Sequence, residues 1–145
     1  MDQVTQLDAA ISTLVRVLLI QERRTSNDIS ATPFNPLDLE TLSFLSRHAG
    51  VTAKEIATYL QVSPTTMQSV VDRLKKRGLV TKDNSLLKGR GIAISLTANG
   101  VKLRDLMQAQ NTQNCKSMLG AIDPLDRERF VDSMTKIAAK IVDSN

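Results

Sequence analysis

Much of the side-chain chemistry used in catalysis and cofactor binding is scarce in this chain. Its 145 residues include one histidine, one cysteine, one tyrosine, three phenylalanines and no tryptophan. The single Cys115 excludes an internal disulfide framework and fits a reducing compartment. It lies near Met118, Leu119 and Ile122 in a helical pattern, so packing rather than redox chemistry is its expected role. His48 stands beside Arg47 at an expected helix end, with no Cys, Asp or Glu at metal-ligand spacing. A solvated imidazole is the simpler reading. There is no glycine-rich phosphate loop, no serine nucleophile motif and no carboxylate pair placed for acid–base work. The expectation is a protein that is not an enzyme and uses no cofactor and no metal. With so few aromatics, an aromatic-lined ligand pocket is also hard to build.

Long hydrophobic runs are missing as well. The longest near the N-terminus, 14–20, is broken by Arg16 and is far too short to cross a bilayer. It lacks the small-residue cleavage pattern of a secretory signal. No membrane association and a soluble, cytoplasmic protein are therefore expected. A 145-residue chain with 41% hydrophobic content can bury one core, so a single domain over 1–145 is the default.

What is present is concentrated between Thr52 and Val80. Around the small Ala57, apolar residues fall at Ile56, Leu60, Val62, Met67 and Val70, the spacing of two helices crossing through a tight turn. Thr52 with Glu55 predicts a capping box for the first helix. Ser63 and Pro64 supply an N-cap and an N1 proline for the second. Arg77-Gly78 ends that helix with a basic last turn and a glycine suited to the left-handed C′ position. The turn residue between Leu60 and Val62 is Gln61 rather than glycine, so the backbone there must avoid a positive φ or accept strain. The exposed face of the second helix carries Thr65, Thr66, Gln68, Ser69, Asp72, Arg73 and Lys76. Short hydrogen-bonding groups near a helix N-terminus with cations further along suit a reader of the DNA major groove.

The flanks support that reading. Leu79-Val80-Thr81 and the alternating Ile92 to Leu96 predict two short strands around a basic loop, which together make a wing. From Asp72 to Arg90 the cations are Arg73, Lys75, Lys76, Arg77, Lys82, Lys88 and Arg90, opposed only by Asp72 and Asp83. The surplus in this one segment exceeds the formal charge of the whole chain, +4. A focused positive patch is what phosphate binding demands, whereas a merely solvated surface would mix its signs.

Ser63-Pro64-Thr65-Thr66-Met67, Val70-Val71-Asp72-Arg73-Leu74, Arg77-Gly78-Leu79-Val80, Arg90-Gly91 and Ser95-Leu96-Thr97-Ala98-Asn99-Gly100 together resemble the MarR family of winged-helix transcriptional regulators. The order and spacing of these motifs carry the likeness, which extends over the whole chain. It implies that the helix matching 63–77 enters the major groove and that Arg90 in the wing reaches the minor groove of a palindromic site. The family often has an acid two positions before that arginine, where this chain has Lys88, which adds a phosphate contact instead. The helix aspartate, Asp72, is then the implied partner that positions the wing arginine. In the redox-sensing branch of the family the reactive cysteine lies in the N-terminal helix, which here has none.

The two ends of the chain carry apolar stripes. Val4, Leu7, Ile11, Leu14 and Leu18 recur at spacings of three and four, as do Phe130, Met134, Ile137 and Ile141. The last helix is expected to start at Asp123-Pro124, with Asp126 and Glu128 in its first turn. Another helix is expected from Asn35-Pro36 to Gly50, presenting Leu39, Leu42 and Leu45 on one face, and a long helix from Thr97 to about Gly120. Residues 25–33 read as a loop. The expected fold is mainly α with a small β wing: a winged helix-turn-helix at about 35–97, flanked by dimerisation helices in 1–30 and 98–145.

The function expected is a sequence-specific DNA-binding regulator, acting as a homodimer on double-stranded DNA at a pseudo-palindromic operator. The repressor sign and release by a small-molecule effector are implied by the family resemblance. The DNA-contacting residues are expected to be Ser63, Thr65, Thr66, Gln68, Ser69, Arg73, Lys76, Lys88 and Arg90. The alternative is a winged-helix interaction module that uses the same surface to bind an acidic protein partner without reading DNA sequence.

Overall fold

The computed structural model describes residues 2–20, 35–84 and 91–145. The chain divides into two compact units, 1–107 and 108–145. The first contains helix α1 (Gln3–Val15) and a π-helical turn (Arg16–Ile20). These are followed by α2 (Pro36–Arg47), α3 (Ala53–Leu60), α4 (Pro64–Lys76), strands β1 (Val80–Asp83) and β2 (Ala93–Leu96), and the start of α5 (Ala98–Gly120). The second contains the remainder of α5, a 3₁₀ turn (Pro124–Asp126) and α6 (Arg127–Ser144).

The helix starts follow the caps. Asn35 accepts a hydrogen bond from Asp38 N at 2.8 Å, with Pro36 at the first helical position of α2. At α3 the capping box is complete: Glu55 N donates to Thr52 Oγ1 at 3.1 Å and Thr52 N donates to Glu55 Oε2 at 3.0 Å. Ser63 caps α4 by accepting from Thr66 N at 3.0 Å. Each device satisfies backbone N–H groups that have no partner within their own helix.

Between α3 and α4 the chain turns at Gln61, whose φ of 58° and ψ of 42° are left-handed. Strain is accepted there rather than avoided, because this conformation lets Val62 N donate to Ala57 O at 3.0 Å and close the turn. Gly78 takes φ 74° after α4, and Leu79 N donates back to Leu74 O at 3.0 Å.

β1 and β2 pair antiparallel with Val80 opposite Leu96 and Lys82 opposite Ile94. Val51 adds an isolated bridge to Ile94, whose N–H donates to Val51 O at 2.7 Å. The core lies beneath this small sheet: Leu42, Phe44, Leu45, Ile56, Ala57, Met67, Val70, Val71, Leu74, Leu79, Val80, Ile94 and Leu103 are buried together. Burial of these side chains provides most of the driving force for assembling the head. Gly100 is demanded by close packing, since a Cβ there would lie 2.2 Å from Leu79 O. Thr97 locks the same corner, donating through Oγ1 to Gly78 O at 2.6 Å and accepting from Gly100 N at 3.0 Å.

Three expectations need amendment. The buried face of α2 carries Asp38 and Thr41 as well as Leu42 and Leu45, while Leu39 is only half-buried. The α-helix expected from Pro124 begins at Arg127. Asp123 Oδ1 accepts from Leu125 N at 2.9 Å and Asp126 N bonds to Asp123 O, which tightens the first turn to 3₁₀. Cys115, expected to pack, is exposed. Met118 and Leu119, three and four residues on, are half-buried, but the same helix face is uncovered at the level of Cys115. The stripe residues of α1 and α6 are largely exposed, with Val4, Leu7, Ile11, Met134, Ile137 and Ile141 all open to solvent. The expected loop at 25–33 lies outside the described residues. Among the described residues, no helix is long and apolar enough to cross a membrane.

Candidate nucleic-acid interface

Helix α4 presents two chemically distinct sides. Met67, Val70, Val71 and Leu74 are buried. Ser63, Thr65, Thr66, Gln68, Ser69, Asp72, Arg73 and Lys76 are all exposed, so the structure brings every expected α4 contact residue to one solvent-facing surface. They do not project equally. At 3.6 residues per turn, Thr65, Gln68, Asp72 and Lys76 point roughly 120–160° away from Val70, whereas Arg73 stands only about 60° from it. Ser63 is partly committed to capping, because its Oγ also donates to Thr66 Oγ1 at 2.8 Å.

Arg73 is drawn to the rim by a buried acid. Its Nη2 donates to Asp38 Oδ1 on α2, forming an ion pair whose side chains are 43% and 3% exposed. An unpaired carboxylate at that depth would be strongly destabilising, so the guanidinium is structurally required as well as accessible. Arg77 lies on the same side of α4. Burial pulls its guanidinium below the usual arginine value, while the nearby Asp38 charge opposes that shift and the Arg73 charge adds to it.

Asp72 faces the wing. It accepts from Lys82 Nζ at 2.5 Å, tying β1 to α4, and from Gln68 Nε2 at 3.5 Å. The hydrogen bond from Lys82, reinforced by its charge, holds the Asp72 carboxyl below its ordinary range. Lys82, Gln68 and Lys54 border an open cleft of about 340 Å³ between the start of α3, α4 and the sheet, with Thr52, Gly91 and Ile94 also lining it. Two ammonium groups and a carboxamide around this notch suit a phosphate oxygen.

Lys88 and Arg90, and with them the expected Asp72–Arg90 pair, lie outside the described residues. Two participants were missed in the sequence, and each left a signal. Lys82 stands two residues after the buried Val80 in β1, so period-two alternation turns it inward, where a cation needs an acid. Asp38 stands four and seven residues before Leu42 and Leu45, which puts a carboxylate on the apolar face of α2. Among the described residues, no group of three or more His, Cys, Asp or Glu side chains could hold a metal ion.

Comparison with known proteins bears on both the segment and the fold. Residues 32–90 match the family model described as the MarR family. An HTH-type transcriptional repressor of Mycobacterium tuberculosis is 32% identical over 68 residues, which cover 47% of this chain and 49% of that protein. The chain thus spans about half the length of the curated relatives it matches. Over nearly the whole chain the fold is similar to that of FabT from Streptococcus pneumoniae, solved in complex with DNA, with a TM-score of 0.80 and 15% identity. That match covers 99% of this chain and 100% of FabT. A mutant of MepR from S. aureus has a TM-score of 0.73 and 18% identity, covering 97% of this chain and 99% of MepR.

Proposed function

We propose that this chain, whose residues 32–90 match the MarR family model, is a sequence-specific DNA-binding transcriptional regulator of that family that represses as a homodimer. The observation that carries this reading is the exposed surface of α4. Short hydrogen-bonding side chains occupy its first two turns, and Lys76 and the wing residue Lys82 border them. The relatives matched in sequence are named as transcriptional repressors, which favours regulation over catalysis and supports the repressor sign. FabT was solved in complex with DNA and has a similar fold, which supports DNA as the partner, and α4 is the helix proposed to enter the major groove.

In this reading Thr65 and Gln68 read base edges from α4, while Ser63, Thr66, Ser69 and Lys76 fix its register on the phosphates. Lys88 and Arg90 extend the contact from the wing. The single domain reading over 1–145 places the DNA-binding part at about 35–97 and assigns the ends to dimerisation. The exposed stripes of α1 and α6 support that assignment. A two-fold dimer requires a pseudo-palindromic operator with half-sites about one helical turn apart. Release by a small-molecule effector, and residence in the cytoplasm, rest on the family alone.

A labelled duplex carrying the pseudo-palindrome upstream of the protein's own gene tests the proposal. It should bind at least about 10³-fold tighter than a scrambled duplex at the same salt concentration. Equal affinity for the two would defeat the regulator reading and favour the interaction module. Within the same assay, Gln68→Ala should change the preferred base. Lys76→Ala or Lys88→Ala should weaken all sequences alike and shallow the salt slope by about 0.9 each.

A further inference from the structure

Among the described residues, Arg73 is the one exposed cation on α4 paired with a buried acid, so its direction is set from inside the protein. Its partner Asp38 is 2% exposed and sits in the first turn of α2, 35 positions earlier in the chain. Asn35 Oδ1 accepts from Asp38 N at 2.8 Å, so the backbone that carries this carboxylate is itself anchored. Thr41 Oγ1, one turn on and also buried, donates to Leu37 O at 2.8 Å and holds the same stretch of α2. The acid is therefore a fixed point, and the arginine must come to it.

A guanidinium has five N–H donors on a planar fork. Asp38 takes one from Nη2, and the 43% exposure of the Arg73 side chain leaves others facing solvent. The fork is nonetheless aimed toward α2, about 100° around the helix from the direction of Thr65, Asp72 and Gln68 on average. Reading a guanine edge requires a coplanar fork directed into the groove. A phosphate oxygen accepts an N–H from many directions and lies along the groove's rim.

We infer that Asp38 is a positioning residue of the DNA surface: it draws Arg73 off the base-reading face and fixes its guanidinium at the rim as a backbone-phosphate contact. This rests on the DNA-binding reading and refines it, by separating the arginine from the readers Thr65 and Gln68. Asp38 also tempers nonspecific attraction, because it neutralises one side of a pair of cations, Arg73 and Arg77, that share its field.

The test uses the full chain, selection from randomised duplexes, and salt titrations on both the selected site and a scrambled duplex. In Asp38→Asn the freed arginine should bind scrambled DNA about two- to fivefold tighter and steepen the salt slope by up to about 0.9. Affinity for the selected site should fall about tenfold. Equal weakening on both duplexes, the signature of a purely structural role, would overturn the inference, as would no change on either. Should Asp38→Asn fail to fold, the double replacement Asp38→Leu with Arg73→Met removes both charges and keeps an apolar contact. It should select the same bases as the wild type with weaker binding, and a changed preferred base would make Arg73 a reader and overturn the inference. A wild-type chain that binds both duplexes equally would defeat sequence-specific regulation alone, leaving the scrambled-DNA titration to decide Asp38. A wild-type chain that binds no DNA would overturn both.

Discussion

The winged head and the terminal helices carry similar apolar stripes that meet opposite fates. Ile56 on α3 is 0% exposed, whereas Ile137 on α6 is 53% exposed. Both stripes follow helical spacing, and both would be read from sequence as faces to be covered. The head covers its own, because α2, α3, α4 and the sheet fold back on one another through short connections. In the described residues of α1 and α6 no side chain is fully buried. Periodicity therefore announces that a face is apolar without saying what covers it. A second copy of the chain is the covering supported by the proposed function, and the contrast between the two regions can be attacked directly.

The largest effects belong to the head. Leu42→Ala removes a fully buried side chain and should cost about 2–5 kcal/mol in urea unfolding. Gly100→Ala, which forces a Cβ against Leu79 O, should cost about 1–3 kcal/mol or more. At a dilution where the chain is monomeric, Met134→Ala should cost far less than Leu42→Ala, and a change of the same size there would erase the distinction between the regions. Next comes the state of assembly. Met134→Glu combined with Ile141→Glu should leave the circular dichroism of the head intact and convert a dimer to a monomer in sedimentation equilibrium. A dimer that survives both charges would remove α6 from the interface.

Smaller effects sharpen the picture of the head itself. Thr52→Ala breaks the capping box and should lower stability by about 1 kcal/mol. Gln61→Gly relieves a left-handed non-glycine residue and should raise stability by about 1 kcal/mol, measured by the same unfolding curves. The smallest concerns Asp72. Its carboxyl is held below the ordinary range in the folded protein, so its pairing with Lys82 contributes fully above about pH 4 and is lost as pH falls through the lowered value. NMR titration should show the Asp72 carboxyl returning to the ordinary range in Lys82→Met, with the rest of the head unchanged. No shift between the two proteins would mean that Lys82 does not hold the wing through this acid.

Most of the head was legible in the sequence. The capping box at Thr52, the Ser63-Pro64 start and the glycine after Arg77 all became the structures they announced. The second wing strand formed at Ala93–Leu96, but Ile92 lies outside it and is exposed while Ala93 is buried beside Ile94, so the alternation expected from Ile92 did not hold. The exposed face of α4 was legible residue by residue, since burial of Met67, Val70, Val71 and Leu74 turns the polar side chains outward together. Less legible were the partners of charged groups. Asp38 stands in the first turn of α2, where the helix dipole already suits an acid, so only its spacing from Leu42 and Leu45 marks its inward direction. Lys82 was counted as one more cation in a basic segment, when its place in β1 directs it to Asp72. Cys115 was placed in a packed stripe that stops short of it.

By itself the sequence determined most of the helix starts, the turn-and-wing order and the polar and apolar sides of α3 and α4, because caps, turns and amphipathic faces act between residues three or four apart. Only the tertiary structure decided that Gln61 would bear the left-handed turn, that Gly100 must admit the Leu79 carbonyl, and which acid would hold which cation. Those choices depend on where separate elements come to rest. A carboxylate's partner is set by distance and burial in the folded chain, and the bond between Asp38 and Arg73 spans 35 positions of sequence that carry no local signal of it.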